Sequence, residues 1–365
     1  MKKISAVTLS FTFTGCFLGA GYVSGQELYQ FFGAFGGWGI IGLFAAVAIL
    51  GALNLALIRI VSRTSDARID HVVVGGEHMT LLFLVGALEM VVFFGTYVVM
   101  AAGAGALVKT LTGFRGAHIW GGLLFCAVIS FIAVRGIAGL VHIFSGVVPI
   151  LVVLTLAVGT AAVCVYGGNG LDFRASDSFN PLIPNFAAGA VTFASYNLFC
   201  SIGVLCPVGL AVKNRRCAVL GTAFGCVMLL LVAFSVLFAL AALPDAAGEA
   251  LPMLAAARRL SPLLMYVYAA LLFLAMSGAS LACLIPTVTY FSEYFRWAQM
   301  HGAVVTFAIS GVAFLLSCFG FADLVGTVFS SFGYLALLAV FGILRHAAIV
   351  GKPRGNPRGT GGKKL

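Results

Sequence analysis

Residues 15–27 read GCFLGAGYVSGQE and lie inside a long apolar segment near the amino terminus. Gly19, Gly21 and Gly25 weaken a helix here, because a glycine inside a helix costs roughly 0.5–1 kcal/mol relative to alanine. The glycines alone are equally typical of a helix face that packs closely against another helix. The serine, glutamine and glutamate around Gly25 favour a break, since a glutamate in lipid is costly and usually faces a cavity or a partner. We therefore predict that the first membrane span is broken near its middle.

The composition of the whole chain is that of a membrane protein. Hydrophobic residues make up 62% of the 365 residues and charged residues only 9%, and the mean hydropathy is +1.12. A soluble protein of this size needs far more polar surface to cover its core. The nine cysteines are scattered through the chain, a pattern that indicates small buried residues and not a disulfide framework or a metal site. The prediction is an all-α integral membrane protein.

Ten apolar runs are candidates for crossing a ~30 Å hydrocarbon core, which takes ~20 helical residues. They are residues 5–32, 38–60, 79–109, 118–135, 139–166, 186–210, 217–243, 262–293, 301–318 and 323–345. With the amino terminus inside the cell, the inner loops and the tail hold most of the 21 lysines and arginines, as the positive-inside rule requires. We expect a multi-pass protein of the cell membrane (plasma or inner membrane) with both termini in the cytoplasm.

The positive charges lie mainly in loops and tail, so the net charge of +10 does not indicate nucleic-acid binding. The basic tail, residues 346–365, is expected to be disordered near anionic lipid. The predicted partners are therefore the lipid bilayer and a small solute, with no nucleic acid.

The spans divide into two halves of similar layout. Residues 1–166 hold the first five spans and residues 186–345 the last five, with an extracytoplasmic connection at residues 167–185. Because five is odd, the second half enters the membrane from the opposite side, as in transporters built from inverted repeats. The first span of each half, span 1 and span 6, is then predicted to be broken so that backbone groups face a solute or an ion. In span 6 the stretch 195–203, SYNLFCSIG, with Pro207 after it, marks the expected place.

Residues 19–27, followed by Phe31 and Phe32, resemble the start of the YkvI-like amino-acid permease family of the APC superfamily. The resemblance extends over the whole chain in length, span number and loop pattern. It implies a LeuT-type fold, in which spans 1, 2, 6 and 7 move as a bundle against a scaffold of spans 3, 4, 8 and 9. It also implies alternating access for an amino-acid-like solute.

The same resemblance implies where a solute binds. Backbone amides at the unwound point of span 1 receive its carboxylate, which suits the positive end of a half-helix. In span 6, one position supplies an aromatic wall, the next a polar cation ligand, and a third lies in the predicted break. The implied solute-binding residues are Gly19, Ala20, Gly21, Tyr22, Tyr196, Asn197 and Ser201.

Sodium coupling would need carbonyl oxygens from span 1 and hydroxyl groups from span 8. The resemblance places the carbonyls at Gly15 and Leu18, but the two expected hydroxyl positions fall on a glycine and an alanine. Ser277 and Ser280 flank these positions and are the alternative hydroxyl ligands. A hard cation needs several well-placed oxygens, so the sequence leaves Na⁺ and H⁺ both open as the coupling ion.

A proton as coupling ion needs a titratable group inside the membrane. Glu89 lies about ten residues into span 3, roughly 15 Å along the helix, and is a candidate relay. A structural glutamate in a buried hydrogen-bond network is the equal alternative. Glu27 and His142 are the further candidates, although a histidine as shallow as His142 is more typical of the membrane interface.

Motifs of enzymes are missing from the sequence: it has no Walker lysine motif and no HExxH. We therefore predict a protein that is not an enzyme and has no cofactor beyond a coupling ion. The favoured function is secondary active transport of a small amino-acid-like solute. The alternative is a membrane receptor of the same fold that binds an amino acid without moving it.

Overall fold

The computed structural model describes residues 3–66, 68–76, 78–135, 140–175 and 180–351. Within these residues the chain is almost entirely helical, and eight helices are long and apolar enough to cross a membrane. Two shorter apolar helices, Ala6–Phe17 and Gly302–Ser317, bring the candidate spans of the described part to ten. The prediction of an all-α multi-pass membrane protein is confirmed.

The helices follow the predicted order along the chain. Span 1 consists of Ala6–Phe17, Ala20–Ser24 and Gln26–Phe31; spans 2 to 5 are Gly37–Thr64, Met79–Thr112, Ala117–Val134 and Leu140–Tyr166. Spans 6 to 9 are Phe186–Ala211, Arg215–Ala242, Pro262–Tyr294 and Gly302–Ser317. Span 10 is Phe321–Leu324, a π-helical turn Val325–Phe329, and Ser330–Gly351. Short connecting helices are Gly33–Phe35, Ile69–Val74, Gly167–Asn169, Pro244–Ala247, Pro252–Leu260 and Arg296–Met300.

Span 1 is broken, as its glycines and the polar residues around Gly25 predict. At the first break the Gly19 N–H donates to the Phe17 carbonyl oxygen (2.7 Å) and not to the Gly15 carbonyl that a continuous helix would use. Gly19 itself is extended, with φ −72° and ψ 174°. A second break follows at Gly25, whose φ of +87° is a left-handed conformation that favours glycine. The predicted break of span 1 is confirmed, and the span is interrupted twice.

Span 6 is one continuous helix from Phe186 to Ala211, so the predicted break there is wrong. The polar side chains of the stretch bond to carbonyl oxygens of their own helix: Ser195 to Val191 (2.7 Å), Asn197 to Phe193 (3.1 Å) and Ser201 to Leu198 (2.8 Å). These bonds satisfy the polar groups without unwinding the backbone. Pro207 removes only one backbone bond near the carboxyl end of the helix, where the loss is smallest.

The helices pack in the two groups that the resemblance implies. Span 1 packs mainly on span 7 and span 2 on span 6, while span 3 packs on spans 4 and 8 and span 9 on spans 4 and 3. In an inverted repeat, span 1 corresponds to span 6 and span 2 to span 7. The contact between spans 1 and 7 therefore corresponds to the contact between spans 6 and 2, and both are present. The boundaries of the two repeats stay a prediction. Buried hydrogen bonds tie the first group together, from Asn54 to Thr222 (2.8 Å) and from Tyr22 to the Leu229 carbonyl (2.8 Å).

A glycine of span 2 supplies the first test of this packing. A methyl group at Gly39 would overlap the Phe32 carbonyl oxygen, where span 1 turns into span 2. At Gly37, in the first turn of the same helix, a methyl group meets nothing within 4 Å. We expect Gly39→Ala to lower the free energy of unfolding by about 1–3 kcal/mol, the usual cost of overpacking, and Gly37→Ala to leave it unchanged. Thermal unfolding of the purified variants measures the difference; equal unfolding temperatures would contradict the packing of the span 1–span 2 turn.

Candidate functional site

A buried carboxylate, that of Glu27, lies where spans 1 and 6 meet. Only 4% of Glu27 is exposed. Its Oε1 atom accepts a hydrogen bond from the Tyr196 hydroxyl and one from the Asn197 side-chain nitrogen (3.4 Å). The left-handed turn at Gly25 starts the short helix that carries Glu27. The two breaks of span 1 thus let a residue after the second break bind the middle of span 6.

The second carboxylate oxygen of Glu27 is packed against the first half of the same span. A side-chain carbon at Gly21 would lie 2.6 Å from Glu27 Oε2 and 3.4 Å from Cε2 of Phe329. The absence of a side chain at Gly21 therefore makes the space that this oxygen occupies. Gly21, Glu27, Tyr196 and Asn197 form one cluster, which we call the central cluster.

Aromatic rings surround Tyr196 in the central cluster. The Tyr196 ring stacks on Phe329 of span 10, with centroids 5.0 Å apart and an interplanar angle of 12°. Phe31 and Phe193 lie 5.7 and 5.8 Å from the Tyr196 ring. The ring whose hydroxyl binds the carboxylate is therefore packed among carbon groups, which exclude water from that side of the hydrogen bond and strengthen it.

The charge of Glu27 has no opposite charge beside it in the described part of the chain. The ion pairs there involve Asp66 and Asp172, both in loops. A buried carboxylate is costly when ionised and unpaired. Hydrogen bonds from two neutral donors offset only part of that cost, so the cluster favours a proton or a bound cation.

Polar side chains bond to span 10 beyond the cluster, near the end of span 1. Gln30 donates from Nε2 to the Ala322 carbonyl (2.9 Å). Asn180, in the connection before span 6, donates to the Gly326 carbonyl (2.7 Å) and to the Ser330 hydroxyl (3.1 Å). The π-helical turn between Val325 and Phe329 displaces backbone carbonyls from regular pairing, and these amides bond to carbonyls in and beside the turn. Sequence reasoning missed Gln30, Asn180 and Phe329; only the one-turn spacing of Gln30 from Glu27 was a signal.

Comparisons with known proteins agree with this geometry. No known protein-family model matches the chain. The chain is 24% identical over 351 residues to the uncharacterized membrane protein YkvI of Bacillus subtilis (strain 168), covering 94% of this chain and 96% of that protein. It is 25% identical over 328 residues to the uncharacterized protein YyaD of the same organism, covering 88% of this chain and 91% of that protein. The resemblance inferred from the first span is confirmed by the first of these similarities.

Solved structures show the same arrangement of helices. MhsT in complex with L-phenylalanine superimposes with a TM-score of 0.63 at 18% identity, covering 95% of this chain and 93% of that one. The inward-facing conformation of Mhp1 superimposes with a TM-score of 0.64 at 14% identity, covering 94% of this chain and 76% of that one. The chain has the LeuT fold. Mhp1 in a closed conformation with bromovinylhydantoin bound superimposes with a TM-score of 0.60 at 15% identity, covering 94% of this chain and 78% of that one. The chain is therefore similar to Mhp1 in both of these conformations.

The solute-binding residues predicted from the resemblance divide into two sets within the LeuT fold. Gly21, Tyr196 and Asn197 meet in the central cluster, and Gly19 and Ala20 lie at the first break beside it. The Tyr22 hydroxyl turns away and donates to span 7. The Ser201 hydroxyl bonds to its own helix, because the helix is not broken there. Whether any of these residues binds a solute stays a prediction.

The predicted ion-coupling residues lie in several places. Ser280 is fully buried, and its hydroxyl has no hydrogen-bond partner within the described residues, whereas Ser277 donates to Phe273 of its own helix (2.8 Å). Glu89 is half-buried on span 3. The side chain of His142 lies outside the described part of the structure. Gly15 and Leu18 flank the first break, where the Gly15 carbonyl loses its regular helix partner.

Removing the hydroxyl of Tyr196 tests the hydrogen bond at the cluster. Tyr196→Phe takes one donor from a buried carboxylate, and we expect the free energy of unfolding to fall by about 1–3 kcal/mol. Tyr166→Phe is the matched control, because the Tyr166 hydroxyl donates to the Arg259 carbonyl (2.9 Å) in an exposed position, where a lost bond costs less. Thermal unfolding measures both variants. Equal falls in the two unfolding temperatures would show that the buried bond to Glu27 stabilises the protein no more than an exposed one.

Proposed function

We propose that the protein is a secondary active transporter that moves a small amino-acid-like solute by alternating access, coupled to H⁺ or Na⁺. The observation that carries the proposal is the buried cluster where broken span 1 meets span 6, inside a LeuT fold. Broken helices at the middle of such folds supply substrate and ion sites. The structural neighbours support the solute class, since MhsT is described with L-phenylalanine bound.

The solute would lie at the first break of span 1. Its carboxylate would meet the backbone amides of Gly19, Ala20 and Gly21, where the helix Ala20–Ser24 begins. Its body would lie against the Tyr196 ring, which the stack on Phe329 holds in place. Rocking of the bundle of spans 1, 2, 6 and 7 against spans 3, 4, 8 and 9 would then open the site to either side.

Two ion sites are compatible with the proposal. A sodium ion would take the Gly15 and Leu18 carbonyls with the Ser280 hydroxyl, because that hydroxyl is buried without a protein partner in the described residues. Ser277 would join it only by giving up its bond to Phe273. A proton would instead use Glu27, Glu89 or His142. We further propose that both termini lie in the cytoplasm, as the distribution of lysines and arginines favours.

Accumulation of solute is the test of transport. The full chain, reconstituted in proteoliposomes, should accumulate radiolabelled amino acids from a mixed panel when a sodium or a proton gradient is imposed. Liposomes without protein, and proteoliposomes without a gradient, are the controls. Binding of an amino acid without gradient-driven accumulation would reject transport and indicate the receptor function instead.

Variants of the candidate ion residues decide the coupling ion. Ser280→Ala should remove the sodium dependence of uptake if sodium binds at the first break. Glu89→Gln should remove the pH dependence of uptake if Glu89 carries the proton. Ser292→Ala is the matched control for the first variant, since Ser292 is on the same helix and bonds only to Val288 of that helix (2.9 Å). Uptake whose dependence on an ion survives the corresponding variant excludes that residue as the coupling site.

A further inference from the structure

We propose that Glu27 supplies the negative charge that binds the positively charged amine of the solute, and that a proton competes with this amine for the same carboxylate. The proposal rests on the transport function proposed above, because it assigns a chemical group to the solute of that site. It makes a positively charged amine the feature that a ligand must have.

The first argument is the position of the carboxylate. Glu27 follows the second break of span 1, while Gly21 lies between the two breaks, and the carboxylate spans the distance from Gly21 to Tyr196 of span 6. It therefore lies between the two helices that are expected to enclose the solute. A group at this point is within reach of any ligand that enters between spans 1 and 6.

The second argument is the missing countercharge. Both hydrogen bonds to Oε1 come from neutral donors, the Tyr196 hydroxyl and the Asn197 side-chain nitrogen. Ion pairs of the described residues do not include Glu27. An ionised carboxylate buried among helices needs an opposite charge or a proton. Since the described protein residues do not provide the charge, a proton or a cationic ligand does.

The third argument separates an organic cation from a metal ion. A hard metal ion needs about six oxygen ligands, but Phe329 lies beside Gly21 next to the carboxylate, and the Tyr196 ring that binds the carboxylate is packed against Phe31 and Phe193. An alkylammonium group donates hydrogen bonds to a carboxylate and is attracted to aromatic faces. The surroundings of Glu27 therefore suit an amine better than Na⁺. This assignment leaves the candidate sodium site at Ser280 unaffected.

The fourth argument concerns which oxygen of the Glu27 carboxylate can bind the amine. Oε1 already accepts from Tyr196 and Asn197, so Oε2 is the oxygen left for a ligand. Oε2 lies against Gly21, where a side-chain carbon would come within 2.6 Å of it. Glycine at this position leaves the space in which that oxygen lies. A larger residue would displace the carboxylate or block the amine.

Competition with a proton follows from the neighbouring groups. Among the described residues, the titratable side chains that interact with Glu27 are Tyr22 on span 1 and Tyr196 and Cys200 on span 6. All three are ordinarily uncharged at neutral pH. Glu89 of span 3 acts electrostatically on Cys200. Within the described residues, no charged side chain of span 7 or span 10 acts on Glu27. Glu27 is then neutralised by a proton in the empty site and by the amine in the occupied one.

The test compares ligands with and without a charged amine. L-phenylalanine and L-alanine carry it, 2-phenylethylamine and ethylamine keep it without the carboxylate, and N-acetyl-L-phenylalanine and N-acetyl-L-alanine lack its charge. Binding to the purified full chain is measured by thermal shift and calorimetry at pH 5.5 and pH 8. We expect at least one amine-bearing probe to bind and the N-acetylated partner of that probe to bind at least about tenfold more weakly, since a charge-assisted hydrogen bond is lost. Affinity for the amine should fall at the lower pH, where the proton competes.

Three variants complete the test. Glu27→Gln keeps an oxygen that accepts from Tyr196 and Asn197 but removes the charge, so we expect amine affinity to fall at least about tenfold and its pH dependence to disappear. Glu27→Asp should retain the preference for the amine at reduced affinity. Glu249→Gln removes an exposed carboxylate outside the spans. It should change neither the affinity for the amine nor the pH dependence of that affinity. If Glu27→Gln does not fold, the N-acetylated pairs, the pH dependence and Glu27→Asp still decide.

The outcomes separate this proposal from transport itself. The assignment of Glu27 is overturned if no amine-bearing probe binds, if an N-acetylated probe binds as tightly as its free amine, or if Glu27→Gln binds the amine normally. Amine binding that depends on Glu27, without accumulation in proteoliposomes, would support the assignment and reject transport. Gradient-driven accumulation of an N-acetylated probe would support transport and reject the assignment.

Discussion

A carboxylate inside a bundle of membrane helices has to be hydrogen-bonded and neutralised, and the centre of this molecule is arranged around that constraint. Glu27 meets the first requirement through Tyr196 and Asn197, two consecutive residues of span 6. It reaches them because span 1 is interrupted on both sides of Gly21 and because Gly21 has no side chain in the way. The second requirement, a countercharge, is not met by any ion pair of the described residues. The unmet requirement is the observation on which the proposed binding of a proton or a cation rests.

The two halves of the chain share a layout but divide the tasks unequally. Span 1 gives up helical continuity, and its two interruptions place backbone groups and Glu27 at the centre. Span 6 stays continuous and presents Tyr196 and Asn197 from a rigid surface. The continuous helix of span 6 holds the two donors, Tyr196 and Asn197, while the carboxylate of Glu27 is carried by a short segment after a break in span 1. Side chains held by regular secondary structure are positioned more exactly than those on irregular segments.

Span 10 links this centre to one end of the molecule. Its π-helical turn brings Phe329 onto the Tyr196 ring, while carbonyls in and beside the turn accept from Gln30 and Asn180. Gln30 is one helical turn beyond Glu27, so the helix that carries the carboxylate is also bonded to span 10. A movement of that helix would therefore alter both the bonds of Glu27 in the central cluster and the bond of Gln30 to span 10.

Sequence alone determined the features that depend on local chemistry. Hydrophobic runs predict spans because a helix in lipid satisfies its own backbone. Three close glycines, with serine, glutamine and glutamate around the last of them, predict the break of span 1, because the glycines weaken a helix and the polar groups are costly in lipid. The same reasoning failed for span 6, where serine and asparagine side chains bond within an intact helix and a break is unnecessary. Only the tertiary structure decided which groups meet: Glu27 binds Tyr196, and Tyr196 stacks on Phe329, residues far apart in the chain. No local pattern encodes such contacts, because they arise from the packing of spans 1, 6 and 10 and from the space left at Gly21.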